Sequence, residues 1–209
     1  MGDGADARDR LVAAATAAFA ERGYHATTTR DIAARAGMSP AALYVHHSSK
    51  EELLFLISRD GHDAALDVVR GASPDDADPF SRLHATVHAF TRWHAEHHTA
   101  ARVVQYEQAA LSPEHRREIA ARRRAIDRHM RDLITSGVQR GVFDVPDVAG
   151  TTLALLSLAV DVARWYRDDG RRSAESVADL YADLAVRMVR ADDASPHVVV
   201  AAAETSQNG

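Results

Sequence analysis

The chain has no cysteine, which excludes disulfides and thiolate metal sites. Aromatic residues are few: two Trp, five Tyr and five Phe among 209 residues. Alanine, leucine and arginine are plentiful instead, the composition of a helical protein. Long apolar runs are missing. The longest, 153–163, contains Asp161 and falls short of the roughly 20 residues that span a bilayer. The N-terminus lacks the basic-then-apolar pattern of a secretory signal, so a cytoplasmic protein with no membrane part is expected. No phosphate loop, His-Glu-x-x-His motif or nucleophile elbow occurs, so neither an enzyme nor a bound cofactor is expected. Base is outnumbered by acid, 25 Lys and Arg against 30 Asp and Glu, giving a formal net charge of −5. That excludes a generic nucleic-acid coat but leaves room for a sequence-specific binder with a local basic face. Lysine is almost absent, since Lys50 is the single Lys among the 25 basic residues.

Against this background, residues 27–50, TTTRDIAARAGMSPAALYVHHSSK, carry the clearest pattern. Thr28 or Thr29 can cap a short helix whose inner face is Ile32, Ala33 and Ala36. Gly37 then permits the left-handed backbone that ends a helix. Ser39-Pro40 restarts the chain, with serine as cap and proline pre-set for the first helical position. Leu43 points inward, leaving Ala41, Ala42, Tyr44 and His46 outside. The pattern predicts a helix-turn-helix whose second helix enters a DNA major groove. Lys50 follows the Ser49 cap and is expected to present a compact cation to one phosphate. The rival explanation of a lone lysine among arginines is a GC-rich genome.

Elsewhere the periodicity predicts helices over 8–22, 50–69, 79–98, 99–111, 113–139, 147–167 and 174–191, hence an all-α chain. The small, acidic, Pro-flanked stretch 71–79 is a loop signal. The expected organisation is a DNA-binding domain over 1–50, a larger helical domain over 51–191, and a disordered tail over 192–209. Residues 153–163 are apolar nearly all round, and Val177, Leu180, Tyr181, Leu184, Met188 and Val189 follow at helical spacing. One side of such a pair suits a core and the other a second copy of the chain.

The stretch from Leu11 to about Leu54 resembles the TetR family of bacterial regulators. The likeness rests on Ala20-Glu21-Arg22-Gly23-Tyr24, Ala26-Thr27-Thr28, Arg30-Asp31-Ile32-Ala33, Ala36-Gly37-Met38-Ser39, Leu43-Tyr44, His46, Ser49-Lys50-Glu51 and Leu53. One departure is His47, where the family usually has a packed Phe. The resemblance implies a homodimer on an inverted-repeat DNA operator, with Thr28, Thr29, Arg30, Ser39, Pro40, Ala41, Ala42, Tyr44, His46 and Lys50 at the DNA. It also implies a small-molecule inducer held among the helices between Pro79 and Arg167, which moves the helix starting at Lys50.

For the inducer site, Trp93, Tyr106, Trp165 and Tyr166 offer aromatic area, and Asp161 with Arg164 a polar pair. Arg164-Trp165-Tyr166-Arg167 is similar to a stretch in TetR-type regulators that respond to acyl-CoA thioesters. Arg116, Arg117, Arg122, Arg123, Arg124, Arg128 and Arg131 could meet the phosphates, although, interleaved with Glu118, Asp127 and Asp132, they also read as a solvated helix face. An acyl-CoA-responsive repressor is the leading expectation. A drug-responsive repressor of an efflux gene is the alternative, and a metal-responsive one is the third. The last arises from His84/His88 and His94/His98, whose i, i+4 spacing can hold a metal, but no metal ligand is assigned.

Overall fold

A computed structural model describes residues 3–72 and 77–190, with side chains from residue 6 onward. The expected tail and the centre of the 71–79 loop lie outside the described residues. Among those described, every regular element is helical. They are α1 (Asp3–Arg22), α2 (Thr29–Arg35), α3 (Pro40–His46), α4 (Lys50–Gly71), α5 (Pro79–Glu96), α6 (His98–Tyr106), α7 (Pro113–Gln139), α8 (Val148–Trp165) and α9 (Ala174–Val189), with a 3₁₀ turn at Gln108–Ala110.

Most helix starts are set by a capping side chain. Thr28, Ser39, Ser49, Asp78, Ser112, Asp147 and Ser173 each accept a hydrogen bond from a first-turn amide, which satisfies donors that have no partner inside the helix. Proline occupies the first position of α3, α5 and α7. The single helix expected over 99–111 stops at Tyr106 instead, because Glu107 leaves helical geometry and turns its carboxylate to the backbone amide of Tyr24, 3.0 Å away.

The packing does not break at residue 50. Leu11, Phe19, Ile32, Leu43 and Leu53 share one core with Val103, Val104, Leu111 and Ile119, so α6 and α7 are built into the underside of the N-terminal helices. Along α4, Leu53, Leu54 and Ile57 are buried as expected, but the stripe then passes to Ala65, Leu66 and Val69. Ala64 is exposed and Val68 only half-buried. The register drifts because α4 exchanges α1 for α5 and α7 as its neighbours.

By length and composition alone α8 is apolar enough to cross a membrane, a test that the core helix of a folded domain also passes. Its inner side, Thr152, Leu155, Ala159, Val162 and Ala163, is buried against α5, α6 and α7. Leu158 and Trp165 are exposed on its outer side, Leu153 is exposed on the side that lines the ligand cavity described below, and α9 leaves Leu180, Leu184 and Met188 exposed. Both helices therefore carry uncovered apolar side chains, which on α9 fall at i, i+4, i+8 and so on one face.

Candidate DNA-reading head and ligand cavity

The head is assembled from short-range devices. Thr28 and Asp31 form a reciprocal cap: Thr28 Oγ1 accepts from the Asp31 amide at 3.2 Å, and Asp31 Oδ2 accepts from the Thr28 amide at 2.9 Å. The Thr28 hydroxyl and then the Thr28 amide, both donating to Asp31 Oδ2, with Arg22 as a lesser contributor, hold the Asp31 carboxyl below its ordinary range. Gly37 adopts φ +69°, which lets the Met38 amide reach the Ala33 carbonyl at 2.8 Å. Ser39 Oγ accepts from the Ala42 amide at 3.1 Å. Leu43 is fully buried. Pro40, Ala41 and Tyr44 are exposed, and Ala42 and His46 are half-exposed. The Tyr44 hydroxyl lies 3.2 Å from Thr29 Oγ1, so the start of α2, with exposed Arg30, adjoins the outer face of α3. Val45, 77% exposed, belongs to the same short helix and was not singled out from the sequence. Its signal was available: an apolar residue at a helix position with no partner in the inner stripe.

One head residue departs from expectation, and a second is the departure from the family pattern noted above. The Lys50 ammonium does not project freely from the α4 N-terminus. It donates to the carbonyls of Tyr24 at 2.7 Å and Thr27 at 2.8 Å and lies 4.1 Å from the Tyr24 ring centroid. Two of its three donors thus close the loop between α1 and α2, where those carbonyls have left helical pairing. His47 is buried in place of an aromatic hydrocarbon. Burial pushes its imidazole toward the neutral form, against the pull of Glu52, whose carboxylate is 4.0 Å away.

Beneath the head, α4 to α8 separate around a cavity of about 590 Å³, within the usual size of small-molecule sites. Its wall includes Ile57, Ala65, Phe90, Trp93, Val104 and Leu156, and it reaches Val12 and Thr16 of α1. His62 and His94 also line it. Burial holds both toward the neutral form, His94 down to about 4, so neither imidazole brings a charge to the cavity near neutral pH. His97 stacks on Trp93 with ring centroids 4.8 Å apart. Arg123 and Arg124 of α7 supply cations in the wall, with Asp60 and Asp127 as acids. Arg123 is engaged by the Gln108 side chain at 2.9 Å. A second, more open hollow of about 480 Å³ between α5 and α9, lined by Phe80, His84, Asp183 and Arg190, lacks such an apolar interior.

Two carboxylates tie this region to the head. Glu51, in the first turn of α4, accepts from the Ser112 amide at 2.8 Å and lies 2.8 Å from His115 Nδ1 on α7. The His115 ring stacks on Phe55 at 3.8 Å. Glu107, just past α6, holds the Tyr24 amide beyond α1.

Comparison with known proteins accords with this two-part design. Residues 11–57 match the family of bacterial regulatory proteins of the tetR type, and residues 76–189 match the tetracyclin repressor-like C-terminal domain. The chain belongs to the TetR family. Among its relatives is the HTH-type transcriptional repressor KstR2 of Mycobacterium tuberculosis, 32% identical over 83% of this chain and 88% of the relative. A tetR-family regulatory protein from Rhodococcus RHA1 is 42% identical and superposes with a TM-score of 0.85, covering 89% of this chain and 98% of that one. AibR, solved in complex with isovaleryl coenzyme A and operator DNA, is 26% identical with a TM-score of 0.76, covering 85% and 97%.

This TetR-family regulator brings only one of the six inducer-site residues expected from sequence into the cavity wall, Trp93. Asp161 and Arg164 do pair, with Oδ1 2.7 Å and Oδ2 2.9 Å from the guanidinium, but both are about half exposed on the outside of α8. Trp165 and Tyr106 are exposed. Tyr166 is buried on another side of α8, with Ala95, Val162 and Val177. The reason is rotational: in a helix apolar on every side, sequence does not say which face meets the cavity. Two of the seven α7 arginines are ion-paired at the surface, Arg122 with Asp63 and Glu118 and Arg131 with Asp127. Gln105 and Gln108 of the wall were missed because two glutamines at i, i+3 spacing read equally as a solvated helix face.

Proposed function

We propose that the chain is a homodimeric repressor that leaves an inverted-repeat operator when an acyl-CoA thioester binds, the acyl group in the cavity and the anionic end at Arg123 and Arg124. The observation that carries this reading is the cavity itself: a mainly apolar wall, an arginine pair in it, and sides shared with both α1 and α4. The names of KstR2 and AibR support the ligand class and the repressor role. The exposed rows on α8 and α9 supply a self-complementary surface for a second copy, and two heads are what an inverted repeat requires. Working on DNA, the protein would act in the cytoplasm.

In this reading Tyr44, Thr28, Thr29, Arg30, Ser39 and Pro40 position the head on the backbone. Ala41, Ala42, Val45 and His46 meet base edges, with Val45 suited to a thymine methyl. Lys50 acts from below by fixing the loop that carries Thr28. An inducer releases DNA only in proportion to its preference for the released form, so a tenfold effect needs about 1.4 kcal/mol. A ligand that spreads α4 from α6 obtains that preference by straining the Glu51 and Glu107 ties.

The test is operator binding followed by fluorescence anisotropy while acyl-CoAs of graded chain length, free coenzyme A and drug-like compounds are added. Acyl-CoAs should raise the operator Kd with an optimum length, and free coenzyme A should do little. Trp93→Ala and Arg124→Ala should blunt the response while leaving ligand-free DNA binding intact. Release by a neutral or cationic drug-like compound, with no acyl-CoA active at micromolar concentration, would overturn the reading in favour of a drug-responsive regulator.

A further inference from the structure

The seam between α5 and α9 carries a cluster that the inducer reading does not use. At i, i+4 spacing, His84, His88 and Arg92 on α5 face Asp183, Asp179 and Glu175 on α9. The distances are 3.5 Å for His84–Asp183 and Arg92–Glu175, 3.3 Å for His88–Asp179 and 3.4 Å for His88–Glu175. His88 differs from its neighbours in meeting two carboxylates at once. Its Nε2 stands almost equally far from both, at distances longer than the roughly 2.7–2.9 Å of a charge-assisted hydrogen bond.

That spacing has a direct chemical meaning. Zinc binds imidazole nitrogen and carboxylate oxygen at about 2.0–2.2 Å, and neighbouring ligands around a tetrahedral ion then stand roughly 3.4 Å apart. The two separations from His88 Nε2 match such edges, and the ligand atoms of His88, Glu175 and Asp179 all lie within 4.8 Å of one another. His88 is 21% exposed and the carboxylates more than half exposed, so an ion has an entry path and water can complete its shell. The His84/His88 pair noted in the sequence does not form this site, because the two rings lie 6.3 Å apart in near-parallel planes. Neither does His94/His98, which gathers no third His, Asp or Glu ligand among the described residues.

We propose that His88, Glu175 and Asp179 bind one divalent cation of zinc type, which staples α9 to α5. An imidazole with two carboxylates favours zinc over magnesium, which prefers an all-oxygen shell. The staple lies on the helix that displays Leu180, Leu184 and Met188, so it would fix the position of that apolar row. The inference is independent of the inducer's identity.

Isothermal titration of tag-free, chelator-treated full-length protein with zinc chloride tests it. One ion should bind per chain, reversibly with EDTA, and magnesium chloride should give no comparable heat. Zinc at about a hundred times its Kd should raise Tm by roughly 5 °C or more. His88→Ala and Asp179→Asn should each weaken binding by roughly tenfold or more, whereas His97→Ala, on the cavity side, should leave it unchanged. Asp179→Asn keeps the side-chain shape at an exposed position, so its loss of binding cannot be ascribed to misfolding. Absence of zinc binding in the parent protein, or binding that survives both His88→Ala and Asp179→Asn, would overturn the proposal.

Discussion

Around the first half of α4, Leu53, Leu54 and Ile57 meet the buried faces of α1, α2 and α3, whereas around its second half the helices stand apart and enclose about 590 Å³. The head is held by short bonds between near neighbours and by side chains with no accessible surface, such as Ile32 and Leu43. The body is held at its rims, through α5 against α9 and α4 against α7, and gives up packing in the middle. Unfilled apolar space forfeits contacts that a ligand can restore. The comparison teaches where movement would be inexpensive under the proposed function: in the body, around the cavity, with the packing of the head kept. Glu51 and Glu107 are the links between the two.

The largest expected effect concerns what lies outside both regions. Leu184→Glu places a charge in the apolar row of α9, and burying it unpaired at a dimer contact costs about 3–5 kcal/mol. Sedimentation should show monomers, with operator affinity lost in parallel; a well-folded dimer would move the interface elsewhere. The contrast between packed head and open body is tested by a matched pair. Leu43→Ala should lower stability by about 2–5 kcal/mol in a denaturant titration. Ala101→Leu, which extends into the cavity, should change it by no more than about 1 kcal/mol while weakening inducer binding. Equal penalties at the two sites would erase the distinction.

The cavity also has a pH signature. Burial holds the folded His94 pKa at about 4, below the ordinary imidazole value of 6.5. Between those values the unfolded chain binds a proton that the folded chain refuses, so stability is full above 6.5 and falls as pH drops toward 4. The loss is about 2–3 kcal/mol, and His47 and His62, lowered mainly by burial, add to it in the same direction. His94→Leu should flatten the decline of Tm between about pH 7 and pH 5; an unchanged slope would remove His94 as its source. A smaller effect is expected at the head. Lys50→Met removes two hydrogen bonds to carbonyls and should cost about 1–3 kcal/mol of stability with the salt dependence of operator binding unchanged. A salt slope reduced by about one unit would instead make Lys50 a phosphate contact.

The same contrast decides what could be read from the chain. Ser39-Pro40, Gly37 and Ser112-Pro113 act on amides within a few residues, so the turn of the head and the limits of α7 were legible. The all-α class followed from periodicity. The destination of the Lys50 ammonium was not legible, because it is set by carbonyls 26 and 23 residues back along the chain. The Asp161–Arg164 pair was legible as a pair, yet its place outside the cavity depends on the rotation of α8 about its axis. His88 could be flagged as a metal ligand, but its carboxylate partners come from α9, through packing that helical spacing on α5 does not disclose.

The central claim, that filling the cavity re-spaces the heads, can be measured without disturbing native thiols, since the chain has none. His25→Cys places one spin label per chain on an exposed residue between α1 and α2, and pulsed electron paramagnetic resonance then reports the head-to-head distance in the dimer. A saturating acyl-CoA that releases the operator should shift that distance distribution in the labelled protein and fail to do so when Ala101→Leu is added. An acyl-CoA that binds and releases DNA while leaving the distribution unchanged would contradict the account.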